Sequence, residues 1–373
     1  MSFGITYQDP LTKFNLSEIK SAGNRISPYI FRTPVRKYHS IDQLIGANVW
    51  VKHENFQPTG SFKLRGALNV IALLSDAQRE KGVIVASSGN FGQGVAYAVQ
   101  KIGGQSFVVV PEGANPDKVM AIQEMGAKII TFGGNFDEAR EEAERLSLDR
   151  GYFYIHSANN YELITGVATY GLEIINDLTD VEVVIVPVGG GSGVCGVGIA
   201  AYLLNPNIKV IAVQSENAPA AHLSWKKGEI IESKMETIAE GLATREGYEL
   251  TQKIMSEVVH DFMLVSESEL KEAIILYLKM THTLAEHASA AALNYCQAHI
   301  NFGKTILVTN QDIEVDNIEL HLIDKLDWNQ YNDEVLHLID HTDNDYVLVI
   351  QDDGHIVNPS LWDEEFLKYD YIG

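Results

Sequence analysis

The sequence predicts an α/β protein built on parallel sheets. Short apolar segments alternate with longer segments of helical pattern along the first 300 residues. Several of the short segments are apolar at consecutive positions, which is typical of strands covered on both faces in a parallel sheet. The alternation indicates helices that act as right-handed crossovers between these strands. A length of 373 residues suits two domains, and a hydrophobic content of 46% allows a large core.

The predicted elements follow one another between residues 83 and 213. We predict strands at Val83–Ala86, Ser106–Val110, Lys128–Thr131, Val183–Val188 and Lys209–Val213. We predict helices at Gly92–Lys101, Asp117–Met125, Asp137–Arg150 and Val194–Leu204.

The sequence changes character after Val308. Residues 311–373 contain 17 Asp or Glu and two Lys without Arg, so they carry −15 of the formal net charge of −22. We interpret them as an appended acidic module that starts near Gln311. Its predicted elements are short helices at Leu320–Leu326 and Glu334–Ile339, and a β-hairpin formed by Tyr346–Ile350 and His355–Val357 around an Asp-Gly turn.

The formal net charge of −22 indicates which classes of partner the chain can bind. A strongly negative protein repels nucleic acid and anionic membranes, so we expect neither as a partner. No segment reaches the roughly 18 apolar residues of a membrane helix, and the N-terminus lacks the pattern of a secretory signal. Two cysteines, Cys195 and Cys296, do not form a disulfide framework. We therefore expect a soluble, cytoplasmic protein.

The first motif with chemical meaning surrounds Lys63. Residues 59–67 read Thr-Gly-Ser-Phe-Lys-Leu-Arg-Gly-Ala, so the lysine stands among small and apolar residues where a helix is expected to begin. Burial disfavours an ammonium and lowers the pKa of a lysine. A neutral amine is the form that Schiff-base chemistry requires. The alternative is an ordinary surface lysine in the first turn of a helix.

The second motif follows a predicted strand and opens a helix. Residues 86–94 read Ala-Ser-Ser-Gly-Asn-Phe-Gly-Gln-Gly. Hydroxyls and free backbone N–H groups at such a place form an anion site, which suits a substrate carboxylate. The alternative is a helix cap made by serine or asparagine.

The third motif is glycine-rich. Residues 186–193 read Val-Pro-Val-Gly-Gly-Gly-Ser-Gly, between a buried strand and a helix. Successive N–H groups of such a loop can converge on one phosphate, and the helix N-terminus adds a favourable partial charge. One alternative is a dinucleotide site, because residues 191–196 match Gly-x-Gly-x-x-Gly, but the acid expected after the next strand is replaced by Gln214. Packing glycines without a ligand are the other alternative.

These motifs occur in the order lysine, Ser-Gly-Asn loop and glycine loop, followed by Ile238-Ala-Glu-Gly-Leu242 and Glu286. In this order the chain resembles, from about Ile26 to Thr309, the threonine/serine dehydratase and serine racemase group of fold-type II enzymes that use pyridoxal 5′-phosphate (PLP). The resemblance implies PLP as cofactor, a homo-oligomer such as a dimer, and a tryptophan synthase β-like fold. The implied division is a large PLP domain from residues 1–50 and 154–310, a small mobile domain from residues 51–153, and an acidic appendage at 311–373.

The resemblance also implies roles for single residues. Lys63 is the Schiff-base lysine, Phe62 packs on the cofactor ring, and Asn90 binds the 3′-oxygen of the cofactor. The residues implied around the substrate are Ser87, Ser88, Gly89, Phe91 and Gln93. The residues implied around the phosphate are Gly189, Gly190, Gly191, Ser192 and Gly193. Gly241 lines the cofactor face, and Glu286 and Thr309 lie near the pyridine nitrogen.

Several positions depart from the family pattern. Phe91 stands where dehydratases often have His, and His156-Ser-Ala replaces a His-Pro start. In the racemase, two acids hold a divalent ion where this chain has Gln214 and Ala220, so we predict no such metal site. The serine that matches Ser88 delivers a proton in the racemase from the face opposite the lysine.

The activity implied is dehydration and deamination of a β-hydroxy amino acid such as threonine or serine. Racemisation and β-replacement are alternatives on similar folds. A sensor without catalytic activity, whose acidic tail binds a partner, is an alternative of another class.

Overall fold

The structure is a computed structural model that describes residues 9–299, 306–309 and 319–322. The chain divides into two compact units, Met1–His299 and Ile300–Gly373. The α-helices of the first unit are α1 (Leu16–Ile26), α2 (His39–Ile45), α3 (Lys63–Leu73), α4 (Asp76–Lys81), α5 (Asn90–Ile102), α6 (Pro116–Glu124), α7 (Phe136–Arg150), α8 (Tyr161–Asp177), α9 (Ser192–Leu204), α10 (Ala220–Lys227), α11 (Glu249–Val258), α12 (Glu267–Thr281) and α13 (His287–His299).

The strands of the first unit are β1 (Val35–Lys37), β2 (Trp50–Lys52), β3 (Val83–Ala86), β4 (Ser106–Val110), β5 (Lys128–Thr131), β6 (Phe153–Tyr154), β7 (Val183–Pro187), β8 (Lys209–Ser215) and β9 (Asp261–Val265). They form a parallel sheet in the order β5-β4-β3-β6, a second parallel sheet in the order β7-β8-β9, and the antiparallel pair β1-β2. The predicted α/β class with parallel sheets is therefore confirmed.

The predicted elements agree closely with the observed ones. Strands β3, β4 and β5 have the predicted bounds, β7 ends one residue earlier than predicted, and β8 continues two residues further to Ser215. The four predicted helices correspond to α5, α6, α7 and α9, with ends that differ by up to two residues. The sequence analysis also expected a helix to begin near Lys63, where α3 begins, but it did not predict helices α1, α2, α4, α8 and α10–α13.

The second unit contributes two described strands, β10 (Ile306–Thr309) and β11 (Glu319–Leu322), which pair in parallel. The predicted helix at Leu320–Leu326 is wrong at its start, because residues 319–322 form a strand. The alternation Glu-Leu-His-Leu has the period of two that a strand requires. The start of the acidic module at Gln311, the predicted helix at Glu334–Ile339 and the predicted hairpin lie outside the described residues.

Helices α5, α3, α8 and α9 pack against one another in that order, and α5 also contacts the first sheet while α9 contacts the second. A Cβ atom at Gly166 of α8 would lie 2.6 Å from the carbonyl oxygen of Arg65, and one at Gly196 of α9 would lie 2.8 Å from the backbone nitrogen of Ala168. Since real Cβ atoms do not approach so closely, these glycines let neighbouring helices meet backbone to backbone. No helix of the described residues is long and apolar enough to cross a membrane.

A buried charge network holds helix α3. Arg65 is fully buried. Its Nε and Nη2 donate to the two carboxylate oxygens of Glu54, each at 2.8 Å. Its Nη1 and Nη2 donate to the two carboxylate oxygens of Glu173 at 2.7 and 2.9 Å, and Nη1 also reaches Thr169 Oγ1 at 3.1 Å.

A second cation completes the network. The Lys52 amine donates to Glu173 Oε2 at 2.6 Å and to the Thr33 carbonyl at 2.8 Å. Two cations therefore face two carboxylates in a nearly dry environment. Burial lowers the pKa of Arg65, but Glu54 and Glu173 outweigh that effect and raise it. The network ties α3, which begins with Lys63, to α8 and to strand β2.

We predict that Arg65→Met lowers the free energy of unfolding by about 3–5 kcal/mol, because two carboxylates would remain buried without their main cation. Denaturant unfolding followed by circular dichroism measures this change. The matched control is Arg245→Met, whose side chain is 57% exposed and pairs with Asp137 and Glu232, which are 33% and 71% exposed. That control should stay close to the parent, since exposed ion pairs contribute little. Equal stability of the two variants would contradict the prediction.

Candidate active site

Lys63 is the first residue of helix α3, as the sequence predicted. The preceding turn is closed by the Gly60 N–H, which donates to the Gln57 carbonyl at 2.8 Å, and Gly60 has a positive φ of 66°. The Lys63 side chain is half-buried. Within residues 9–293, no hydrogen bond or ion pair to its amine is found.

The electrostatic surroundings of Lys63 favour a neutral amine. Burial lowers its pKa; Glu286 opposes this shift, Lys118 adds to it, and Glu240 opposes it. The net direction is downward, as the sequence analysis expected. Because these charged residues come from three separate parts of the chain, the site is assembled only by the tertiary fold.

The Ser-Gly-Asn loop lies beside the start of α3. It connects β3 to α5, and a Cβ atom at Gly94 would lie 3.3 Å from Leu64 Cα. Glycine at position 94 therefore permits the close approach of the two helices. The Asn90 amide donates to Glu286 Oε2 at 2.8 Å, which links the loop to the residue that precedes α13.

The loop leaves backbone donors available. Helix α5 has Gly89 as its N-cap, and the N-cap residue itself makes no side-chain cap bond. The Ser87 hydroxyl accepts from the N–H groups of Gly89 and Gly92 at 3.3 and 3.1 Å, so the serine-cap alternative accounts for one donor of the first turn. In the described part of the chain, the N–H groups of Ser88, Asn90 and Phe91 have no hydrogen-bond acceptor. Such donors at a helix N-terminus suit a carboxylate.

The glycine loop follows β7 and opens α9. Gly191 is the N-cap, with φ of 95°, and no side chain caps the helix. The described residues offer no acceptor to the backbone N–H groups of residues 189–193. A Cβ atom at Gly189 would lie 2.3 Å from the Gly241 carbonyl oxygen, and one at Gly193 would lie 3.0 Å from Phe62 Cζ. The loop therefore contacts the residue before Lys63 on one side and Gly241 on the other.

The environment of Gln214 does not favour the dinucleotide alternative. Gln214 occupies the position where a ribose-binding acid is expected, and it is fully buried. Its Nε2 donates to the Leu242 carbonyl at 3.4 Å, and its Oε1 accepts from the His222 N–H at 3.0 Å. Both ends of the amide are thus used inside the protein. Ala220, the second position of the racemase ion site, begins helix α10. The absence of that metal stays a prediction.

The remaining predicted residues lie in different surroundings. Phe91 is 5% exposed and belongs to the main hydrophobic core, which indicates a packing role. Gln93 is half-buried on α5, and Ser192 is buried at the start of α9. Thr309 ends strand β10 of the second unit. The roles given to all these residues stay predictions.

Sequence reasoning missed several residues that support the site. Tyr170 on α8 donates from its hydroxyl to the Gly193 carbonyl at 3.1 Å, and its ring centroid lies 5.5 Å from that of Phe62. Thr251 Oγ1 donates to the Gly190 carbonyl at 2.8 Å. Lys118 of α6 forms an ion pair with Glu240. Each partner is distant in sequence, so no local pattern could have revealed these contacts.

The site fits the cofactor that the resemblance implies. The free N–H groups of residues 189–193 at the start of α9 suit a phosphate. A side chain at position 189 would collide with the Gly241 carbonyl, and one at position 193 would make a tight contact with the Phe62 ring. A half-buried lysine with a lowered pKa suits the aldehyde of PLP.

Comparisons with known proteins agree with this geometry. A family model described as pyridoxal-phosphate dependent enzyme matches residues 26–312. The chain is 38% identical over 317 residues to an L-threonine ammonia-lyase of Thermotoga maritima, covering 83% of this chain and 77% of that enzyme. It is 39% identical over 278 residues to a catabolic L-threonine dehydratase of Staphylococcus aureus, covering 74% and 80%.

Among solved structures, the fold is similar to serine racemase from Dictyostelium discoideum. The TM-score is 0.72 with 36% sequence identity, and the match covers 76% of this chain and 91% of the racemase. With the family model covering most of the chain and the lysine, loops and sheets placed as described, the chain belongs to the pyridoxal-phosphate-dependent enzymes of fold-type II.

Proposed function

We propose that the protein catalyses the PLP-dependent β-elimination of a β-hydroxy amino acid, such as threonine or serine, to a 2-oxo acid and ammonia. The observation that carries the proposal is the position of Lys63, a half-buried amine with a lowered pKa next to the Ser-Gly-Asn loop. The threonine ammonia-lyase and dehydratase relatives support the reaction class.

In this mechanism, bound PLP supplies an electron sink that stabilises negative charge at Cα of the amino acid. The free N–H groups of Ser88, Asn90 and Phe91 bind the substrate carboxylate and thereby orient the Cα–H bond. The neutral amine of Lys63 accepts the Cα proton as a general base. Its lowered pKa keeps the amine unprotonated in a larger fraction of molecules near neutral pH.

In this proposal Glu286 also orients the side chain of Asn90, in addition to its implied place near the pyridine nitrogen. It accepts a hydrogen bond from the Asn90 amide nitrogen, so it fixes which end of that amide points into the site. We propose that Asn90 keeps its implied place at the 3′-oxygen of the cofactor, oriented by Glu286. Thr309 is proposed as the hydroxyl residue at the pyridine nitrogen.

Racemisation, β-replacement and sensing without catalysis would each require different groups in the same site. Racemisation requires a second proton donor, and Ser88, whose hydroxyl has no partner among the described residues, supports that alternative. β-Replacement requires a nucleophile from solution. A sensor without catalytic activity would not need the lowered pKa of Lys63.

We propose that residues 51–153 form the small mobile domain and that residues 1–50 and 154–310 form the large one. The two parallel sheets support this division, because β3–β6 lie within the first range and β7–β9 within the second. The ion pair between Lys118 and Glu240 joins the two ranges beside Lys63. The acidic residues 311–373 are proposed as an appendage that cofactor binding does not require.

We predict that Lys63→Ala folds but loses its activity, because the general base and the covalent link to PLP disappear together. The rate should fall by more than the ~10²–10⁴-fold typical of a general base alone. Turnover is measured as release of 2-oxo acid, and the link is measured by borohydride reduction followed by peptide mapping.

The matched control is Lys101→Ala, an exposed lysine on α5, which should keep parent activity. A reduced peptide that carries the cofactor on Lys101, or on any lysine other than Lys63, would refute the assignment.

We predict that elimination is faster than racemisation in the parent protein. Ser88→Ala should lower any racemisation by about 10²–10⁴-fold, as expected for loss of a proton donor, and should preserve elimination. Chiral chromatography of recovered substrate, together with a 2-oxo acid assay, separates the two reactions. Rapid loss of optical purity without 2-oxo acid would show that the protein is a racemase.

We also propose a homodimer in the cytoplasm. Three aromatic side chains between residues 31 and 56 are exposed: Phe31 is 60% exposed, Trp50 46% and Phe56 42%. The backbone of Phe31 is hydrogen-bonded to the Gln57 side chain, next to Phe56.

We predict that sedimentation gives twice the chain mass of 41.3 kDa. Phe31→Ser should weaken the dimer, whereas Leu148→Ser, at an 86% exposed site on α7, should not. A monomeric parent would contradict the proposal.

A further inference from the structure

The segment Thr237–Gly241 lies between helices α10 and α11 and contacts the glycine loop. Its last residue lies against Gly189, since a Cβ atom there would be 2.3 Å from the Gly241 carbonyl oxygen. Glu240, beside it, pairs with Lys118. The position of this short segment therefore determines one wall of the phosphate-binding loop.

One carboxylate holds the other end of the segment. Glu267 Oε1 accepts from the Thr237 hydroxyl at 2.6 Å, and its Oε2 accepts from the Ile238 N–H at 2.9 Å. Glu267 Oε1 also accepts from the Ser215 hydroxyl at 2.8 Å, and Ser215 is fully buried at the end of β8. Glu267 therefore ties the segment to the end of the central strand of the sheet.

The hydrogen bonds continue from this carboxylate towards the site. Thr237 Oγ1 accepts from the Ala239 N–H at 3.1 Å, and the Ala239 carbonyl accepts from the Leu242 N–H at 2.8 Å. The Leu242 carbonyl is in turn bound by Gln214. The path therefore runs from Glu267 through Thr237 and Ala239 to Leu242, the residue that follows Gly241.

The ionised form of Glu267 is the form that can hold Thr237, Ile238 and Ser215 together. Burial raises the pKa of its carboxyl, but the hydrogen bonds from Thr237, Ile238 and Ser215 outweigh that effect and lower it. An ionised carboxylate can accept all three bonds, whereas an amide has only one accepting oxygen. Bonds to a charged acceptor are also stronger than bonds between neutral groups.

We propose that Glu267 is a positioning residue for cofactor binding, which acts through Thr237 and Ile238 to hold Gly241 against the Gly189–Gly193 loop. It touches neither the glycine loop nor Lys63 in the described residues. The inference rests on the PLP site described above and not on the identity of the amino-acid substrate.

The test compares Glu267→Gln with the parent in full-length protein. Because the amide nitrogen would face the Ile238 N–H or a hydroxyl, the dissociation constant for PLP should rise about tenfold, the equivalent of one charge-assisted hydrogen bond partly lost. The constant is measured by absorbance titration of apoprotein with PLP. Hydrogen exchange of the peptide that contains residues 237–241 should become faster in the same variant.

Glu269→Gln is the matched control. Glu269 lies two residues further along α12, and its Oε2 accepts from the Ser266 N–H at 2.6 Å as part of a capping box. This variant removes a charge from the same helix terminus but leaves Thr237–Gly241 bound, and glutamine can still complete the capping box. It should lower the melting temperature slightly, through loss of the interaction with the helix dipole, and keep the PLP dissociation constant within about twofold of the parent.

Thr237→Val serves as the second variant, because it removes one donor to Glu267 and leaves the carboxylate in place. If Glu267→Gln does not fold, the same rise in the PLP dissociation constant, with a smaller amplitude, is expected from Thr237→Val. An unchanged constant in every folded variant of this pair overturns the proposal, as does an equal change in Glu269→Gln. No amino-acid substrate is needed, so failure of the proposed elimination reaction would not affect the result.

Discussion

The buried guanidinium of Arg65 is the interaction on which the arrangement of the site depends. It lies two residues after Lys63 on the same helix and is bound by Glu54 and Glu173 from two other parts of the chain. Burying three charges is costly unless the geometry satisfies each of them. Here the planar fork of arginine meets both carboxylates with two bonds each, which leaves helix α3 with one well-defined position.

Close packing through glycine extends that constraint to the two loops. Gly94 lets α5 approach the backbone at Leu64, and Gly193 lies against the ring of Phe62. Both contacts flank Lys63, so the Ser-Gly-Asn loop and the glycine loop meet at the lysine. A larger side chain at either glycine would crowd the residues that flank Lys63, and well-packed interiors tolerate such additions poorly.

The electrostatics of the site follow from charged residues that separate segments bring close to Lys63. Lys118 comes from helix α6 near the first sheet, Glu240 comes from the segment between β8 and β9, and Glu286 directly precedes α13. Their effects on the Lys63 amine partly cancel, so burial decides the direction of its pKa. The segment Thr237–Gly241 contacts three of these parts. Thr237 is hydrogen-bonded to Glu267, Gly241 lies against the glycine loop, and Glu240 pairs with Lys118.

The sequence by itself determined the α/β class, the bounds of strands β3 to β5 and the three motifs around Lys63, because hydrophobic periodicity and glycine-rich turns are local signals. It did not reveal Tyr170, Thr251 or Glu267, whose partners lie 23, 61 and 30 residues away. It also did not assign a structural role to Arg65, since a charge within an apolar motif does not indicate its partners. These contacts were decided by the tertiary structure alone, because only packing of distant segments brings a donor within hydrogen-bond distance of its acceptor.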